Sequence, residues 1–132
     1  MICSMLLDDI ATYLAGKNLG VVGTDIFKGF YPDQPDNCIS LFEYAGSPTE
    51  LTMCDSPTLE RPGLQVRVRN KNYSIGRARI GKVVDYLHGL AGTTLGSTRY
   101  LLIQANQSPE SMGMDANNRS EFVVNFSIIK ER

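Results

Sequence analysis

The chain has 132 residues and a formal net charge of −1, with 42% hydrophobic and 20% charged residues. This length predicts a single domain over residues 1–132, and the composition excludes a chain that is disordered throughout. No apolar run reaches the roughly 18 residues that a membrane-spanning helix needs, so we expect no membrane partner. Acidic residues soon after Met1 argue against a signal peptide, and three scattered cysteines fit reduced thiols in a cytoplasmic setting.

Charge is unevenly distributed along the chain. Residues 1–60 contain nine acidic residues and two lysines, whereas residues 61–82 contain seven basic residues and no acidic residue. If the fold places these segments on different faces, the molecule is an electrostatic dipole that suits head-to-tail contact between copies. The alternative is that each segment only solvates an exposed face.

Apolar residues at helical spacing predict a first helix, which Ser4 caps and Gly16 ends. The residues that carry this spacing are Leu7, Ile10, Ala11 and Leu14. Two strand candidates follow, over residues 24–30 and residues 38–44. Residues 45–63 contain three prolines and little periodicity, which predicts a long irregular connection. Loops of that length in compact domains are usually functional or disordered until they bind a partner.

A strand followed by a helix forms the centre of the predicted fold. The Pro-Gly dipeptide at 62–63 predicts a turn, and the alternation of apolar with polar residues over 64–69 predicts a half-buried strand. Residues 73–87 then carry an apolar stripe at helical spacing. Ser74 is the candidate N-cap of this helix and Gly89 its candidate C-cap.

The remaining third of the chain adds two predicted strands. Residues 90–97 predict a turn of small residues, 99–107 a strand, 108–120 a second long loop, and 121–130 a last strand. The resulting order is α-β-β-β-α-β-β. It predicts an α+β fold, with a mainly antiparallel or mixed sheet of about four to five strands and two helices packed on one face.

Several short motifs occur in the order and spacing of a known family. They are Glu-Arg-Pro-Gly-Leu-Gln-Val at 60–66, Asp-Tyr-Leu-His-Gly-Leu at 85–90, Gly-Ser-Thr-Arg-Tyr at 96–100 and Gln-Ser-Pro at 107–109. Together with the N-terminal helix, these motifs resemble the minor capsid or tail terminator proteins of long-tailed bacteriophages. The resemblance is collinear over nearly the whole chain.

The resemblance implies a structural assembly protein of a phage or prophage virion, with no enzymatic activity and no cofactor. Tail terminators assemble as a ring, hexameric in the family, on the head-proximal end of the tail tube. The ring stops tube growth and offers the surface for head joining. The implied partners are copies of the chain itself, the tail tube protein and neck or head-completion proteins. The implied location is the virion tail, after assembly in the host cytoplasm. A neck or head-completion adaptor is the alternative.

Charge and loop length, and not the resemblance, select the candidate contact residues. The basic strand and helix are predicted to form the subunit interface, through Arg61, Arg67, Arg69, Tyr73, Arg77 and Arg79. The two long loops are predicted to reach partner proteins, through Glu50, Met53, Asp55, Glu60, Met112, Asp115 and Arg119. A small nucleic-acid-binding module is an alternative of a different class, because arginines on a strand and a helix can contact phosphates. A pI near 5.8 and the lack of a recognised binding motif argue against nucleic acid as a partner.

Four features that suggest chemistry are incomplete. Residues 76–83 match a phosphate-binding loop until Val83, where magnesium binding needs Ser or Thr, so the glycines are predicted to allow close helix packing. Residues 115–126 begin like a calcium loop but lack its glycine and its final glutamate. His88, the only histidine, is predicted to cap or pack at the helix end. The cysteines form no zinc-binding pair. We therefore predict no metal, no cofactor and no small-molecule substrate.

Overall fold

The computed structural model describes residues 6–33, 36–47, 59–96 and 98–131. The elements in these ranges are α1 (Leu6–Gly16), β1 (Ile26–Lys28), β2 (Cys38–Ser47), β3 (Leu59–Asn70), α2 (Tyr73–Leu87), β4 (Leu90–Leu95), β5 (Thr98–Ala105), β6 (Glu110–Met114) and β7 (Ser120–Glu131). The predicted α+β class is confirmed. Within the described ranges the sheet has seven strands, which is more than the four to five predicted.

The strands form one sheet in the order β1-β2-β3-β7-β5-β4. β6 also pairs with β7, along the residues 120–123 that β5 leaves free. β1 and β2 are parallel, and the other pairs are antiparallel, so the sheet is mixed. α1 contacts β1 and β2 near one edge of the sheet and β4 at the other edge. The sheet therefore curves around this helix.

The core lies between the two helices and one face of the sheet. Alternate residues of the two central strands meet there in register, as Leu64 pairs with Phe126, and Val68 with Phe122. The helices contribute side chains to the same buried cluster, among them Ile10, Leu14, Ile80, Val83 and Leu87. Both helices therefore pack on one face of the sheet, as predicted, and the opposite face carries no helix among the described residues.

The predicted turn at 62–63 is wrong, because both residues lie inside β3. Gly63 pairs with Tyr44 on one side and with Ser127 on the other. The ring of Tyr44 covers this glycine so closely that a Cβ there would clash with the ring carbons. The register between β2 and β3 shifts beside this point, which accommodates a proline that cannot donate a ladder hydrogen bond. Pairing with two neighbouring strands has outweighed the local turn preference.

Two further segments predicted as turn or loop contain strands. Residues 90–95 form β4, and Gly96, with φ +60°, begins the two-residue connection to β5. Within residues 108–120 the chain forms β6, and a tight turn then leads to β7. In that turn the Asp115 N–H donates to the Arg119 carbonyl at 3.0 Å, and Asn118 has φ +60°. Both strands lie at exposed edges of the sheet and bury few side chains, so their small and polar residues show no strand pattern in the sequence.

The ends of the elements also differ from prediction. Asn72, and not Ser74, caps α2, since its side-chain oxygen accepts a hydrogen bond from the Ile75 N–H at 3.1 Å. Gly89 follows the C-cap residue His88 and has φ +87°, a conformation that favours glycine just after a helix. The predicted strand over 24–30 is limited to Ile26–Lys28. Ser4 lies outside the described residues.

Candidate interaction surfaces

The basic residues of segment 61–82 divide between the two sides of the sheet. Arg67 alternates with the buried Val66 and Val68, so it projects from the face that carries no helix. Arg77 and Arg79 belong to α2, which packs against the opposite face. The strand arginines and the helix arginines are therefore not brought together into one continuous surface.

On the helix-free face, Arg67 is part of a half-buried polar network. Its Nε donates to Gln65 Oε1 at 2.8 Å, and Gln65 Nε2 donates to Asn125 Oδ1 at 3.1 Å. The guanidinium of Arg67 lies 5.4 Å from the ring centre of Phe42. Beside this network is a cleft of about 380 Å³, which Arg61 lines. These contacts fix the Arg67 side chain without burying it.

Arg69, in contrast, is buried and holds the connection between β1 and β2. Only 3% of the residue is exposed. Its Nε donates to the Asp36 carbonyl at 3.0 Å, and its guanidinium lies 4.7 Å from the ring centre of Tyr31. Arg69 therefore has a structural role at this end of the sheet, whatever else it contacts.

Arg119 holds the same connection from the other side. Its guanidinium donates to Asp33 Oδ1 at 3.1 Å, to Asp36 Oδ1 at 3.2 Å and to Asp115 Oδ2 at 2.8 Å. Only 3% of this arginine is exposed. We call Arg69 and Arg119, together with the three aspartates, the arginine clamp. It joins the turn between β6 and β7 to the connection between β1 and β2.

The clamp favours the ionised form of its aspartates. The hydrogen bond and the positive charge of Lys71, with those of Arg119, hold the pKa of Asp36 below its ordinary value. Burial works against ionisation of Asp115, but hydrogen bonds from the backbone and guanidinium of Arg119 and from the Asn117 backbone outweigh it. The pKa of Asp115 is therefore also lowered.

Most described acidic residues of the N-terminal half have a partner inside the chain. Asp8 pairs with Lys28, and Glu60 pairs with the buried Lys130 at 2.9 Å. Asp9 accepts a hydrogen bond from the Tyr100 hydroxyl at 2.7 Å. With Asp33 and Asp36 in the arginine clamp, five of the seven acidic residues described between positions 6 and 60 are engaged. The acidic charge of this half is thus largely neutralised within the fold.

The basic residues of α2 are in the opposite situation. Among the described residues, Arg77, Arg79 and Lys82 form no ion pair. Two of them border a groove of about 310 Å³ between α2 and the segment after α1, lined by Leu19, Ser74, Ile75, Ala78, Arg79 and Lys82. We call it the α2 groove. Ile75 in its lining is 53% exposed, and Tyr73, two residues earlier on α2, is 55% exposed. This surface combines unpaired positive charge with exposed apolar area.

The residues predicted to contact partner proteins through loops are scattered. Glu50, Met53 and Asp55 lie outside the described residues. Glu60 is in β3, where it pairs with Lys130. Met112 is exposed on the edge strand β6. Asp115 and Arg119 belong to the arginine clamp, for which the sequence carries no signal except an acid and a base four residues apart.

The patterns that suggested chemistry have structural roles. The prediction that glycine allows close helix packing is confirmed at Gly76, where a Cβ would lie 2.8 Å from the Phe122 ring, but is wrong at Gly81, where the nearest atom is an Arg77 nitrogen at 3.4 Å. His88 is the C-cap residue of α2, as predicted, but it caps through its backbone N–H, which donates to the Val84 carbonyl at 2.8 Å, while its side chain contacts β5, where Nδ1 accepts the Ala105 N–H at 2.9 Å. No three acidic, histidine or cysteine side chains in the described part of the chain are placed to hold a metal.

The described helices are too short or too polar to cross a membrane.

Comparisons with known proteins found one matching family model and solved structures of the same fold. The family model described as bacteriophage tail terminator protein matches residues 13–132. A chain of the solved structure described as "Virion of native gene transfer agent (GTA) particle" has the same fold, with a TM-score of 0.67. It is 15% identical, over 96% of this chain and 95% of that chain. A search of curated proteins found no match.

Proposed function

Because the chain belongs to the family of bacteriophage tail terminator proteins, we propose that it ends tail growth by capping the head-proximal end of the tail tube. The family is structural and not catalytic, and the chain is a structural protein of a phage tail. The observation that carries the proposal is the family match over residues 13–132. A fold shared with a chain of a virion structure supports it.

In the proposed mechanism, copies of the chain form a ring, six in number as in the family. One face of the ring reproduces the contact that a tube subunit makes, and the other face does not offer that contact again. Tube growth therefore stops without any chemical step. The second face then receives the neck or head-completion proteins, after assembly in the host cytoplasm.

The structure supports a protein with separate contact surfaces for different neighbours. Its two sides carry unlike basic surfaces, the fixed Arg67 network on one and the unpaired cations of α2 on the other. We propose that Arg61 and Arg67 on the first side, and Tyr73, Arg77 and Arg79 on the second, contact neighbouring copies. Met112 and the segment that contains Glu50, Met53 and Asp55 are proposed to contact the tube or neck.

The test is electron microscopy of tubes polymerised from the cognate tail tube protein, with and without this protein. We expect shorter tubes that carry a ring at one end only. A matched sample with tube protein alone gives the uncapped length distribution. Long tubes with both ends bare would contradict the proposal and favour the adaptor of the neck or head-completion region.

A further inference from the structure

The α2 groove has the chemistry of a binding site for an acidic segment with apolar side chains. Arg79 and Lys82 border it and form no ion pair among the described residues, and Ile75 and Ala78 line it. Unpaired cations beside apolar surface favour a ligand that brings carboxylates and apolar groups together, because each kind of contact then finds a partner. A bare polyanion would satisfy only the cations.

The chain itself contains a segment of this composition. Residues 29–60 contain no lysine and no arginine. Within them, Glu50 and Asp55 flank Leu51 and Met53. Most other acidic residues of this half are already engaged inside the fold. Segment 48–58 therefore has the charge and the apolar residues that complement the α2 groove.

Chain length decides which copy can supply this segment. Segment 48–58 leaves β2 after Ser47 and re-enters at Leu59, and both anchors are at the same end of β3, since Ser47 pairs with Arg61. Roughly twelve Cα steps between the anchors let the middle of the segment reach at most about 20 Å from them.

The α2 groove lies beyond that reach. β3 spans about 36 Å from Leu59 to Asn70, and α2 starts at the Asn70 end. The packing of Gly76 against Asn70 and Phe122 fixes the first half of α2 at that end. Ala78, in the middle of the groove, is therefore about 28 Å along β3 from the anchors. A chain cannot fill its own groove with this segment.

We propose that the α2 groove of one copy binds segment 48–58 of a neighbouring copy. Arg79 and Lys82 receive Glu50 and Asp55, and Leu51 and Met53 lie against the apolar lining. The inference rests on the self-assembly in the proposed function, and it names the two surfaces that meet. Each copy gives its segment to one neighbour and accepts that of another.

The test uses the native Cys54, which lies inside the proposed ligand segment. In a Cys3→Ser background, Ala78→Cys places a second thiol in the groove, and a short bismaleimide joins two thiols when each adds to one maleimide double bond. Cys38 is buried and does not compete. We expect crosslinked dimers and higher oligomers on a denaturing gel, and their loss when Cys54→Ser is added.

Charge reversal supplies the matched control. Arg79→Glu with Lys82→Glu should lower the yield of crosslinked oligomers about tenfold. Glu50→Lys with Asp55→Lys on the segment should restore the yield of crosslinked oligomers when this variant is mixed with the groove variant. In that mixture only the segment variant keeps Cys54, and only the groove variant carries Ala78→Cys. Arg99→Glu changes the same charge on β5, outside the groove and outside the proposed contact surfaces, and should have little effect.

Three outcomes would overturn the inference. The first is crosslinking within one chain. The second is no crosslink although a monofunctional maleimide labels both Cys54 and the thiol introduced by Ala78→Cys. The third is an oligomer yield that falls equally for Arg99→Glu. Retention of double-stranded DNA by the wild type but not by Arg79→Glu with Lys82→Glu, without crosslinked oligomers, would assign the groove to nucleic acid instead. The tube-capping experiment is scored separately. Capped tubes without the crosslink refute this contact alone, and uncapped tubes refute the proposed function.

Discussion

The two glycines of α2 give a matched test of how closely this helix packs on the sheet. Gly76 faces the core, where an added Cβ would lie 2.8 Å from the Phe122 ring and 3.1 Å from Asn70 Cβ. Gly81 has only the flexible end of Arg77 nearby, at 3.4 Å. Alanine at either position gains up to about 1 kcal/mol in helix propensity over glycine. The difference between the two variants therefore reports packing.

We expect Gly81→Ala to stabilise the protein by about 0.5–1 kcal/mol. At Gly76 the same gain is opposed by overpacking, which typically costs about 1–3 kcal/mol because Phe122 is fully buried and must shift. Gly76→Ala should therefore be neutral or destabilising by up to about 2 kcal/mol, and its melting temperature should lie several degrees below that of Gly81→Ala.

Urea denaturation at a fixed protein concentration measures both free energies of unfolding, since association would otherwise shift them. Adding Phe122→Leu provides the control, because the smaller side chain leaves room for the new methyl group. The penalty of Gly76→Ala should then shrink relative to the Phe122→Leu parent. If Gly76→Ala stabilises the protein as much as Gly81→Ala does, the packing argument is wrong.

Three further predictions concern the polar contacts. Arg119→Met should lower the melting temperature more than Arg99→Met, because Arg119 is buried and contacts three aspartates, whereas the Arg99 side chain is 55% exposed. Arg119→Lys keeps the positive charge and should lower the melting temperature less than Arg119→Met. The pKa of Asp36 is lowered in the folded state, so its contribution to the free energy of unfolding is present above its ordinary pKa of 3.8 and is lost as the pH falls through the folded pKa. The free energy of unfolding should therefore drop below about pH 4, and Asp36→Asn should make that drop smaller. Tyr100→Phe should cost about 1–3 kcal/mol in urea denaturation, because the buried Asp9 loses a hydrogen bond, and a wild-type value would contradict that role.

The sequence predicted the central elements because their periodicity reflects burial directly. The alternation around Val66 and Val68, and the helical stripe that contains Ile80 and Val83, are the residues that form the core. Edge elements escaped prediction for the same reason. β4 and β6 bury little, so small and polar residues such as Gly92 and Gly113 suggested loops. Pairing energy that comes from a distant strand leaves no local signal.

The candidate contact residues show where charge counting stops being informative. Arg67 and Arg69 are two residues apart on the same strand and appear equivalent in the sequence, yet one projects into a half-exposed network and the other is buried against the Asp36 carbonyl. What separates them is the connection between β1 and β2, which covers one end of the strand. No periodicity in either segment encodes that packing, so the arginine clamp could not be predicted.

The small net charge of the chain also conceals how its surface is divided. Five described acidic residues of the N-terminal half are engaged internally, whereas the cations of α2 form no ion pair among the described residues. The segment that carries Glu50 and Asp55 leaves the sheet at the Leu59 end of β3, about 36 Å from the end at which α2 starts. The donor segment and the acceptor α2 groove lie at opposite ends of one subunit. A two-fold dimer could therefore form both segment-to-groove contacts only if its two subunits lay side by side and antiparallel. Donor and acceptor are satisfied in turn along a head-to-tail series of copies, which closes into a ring when the rotation between copies divides a full turn.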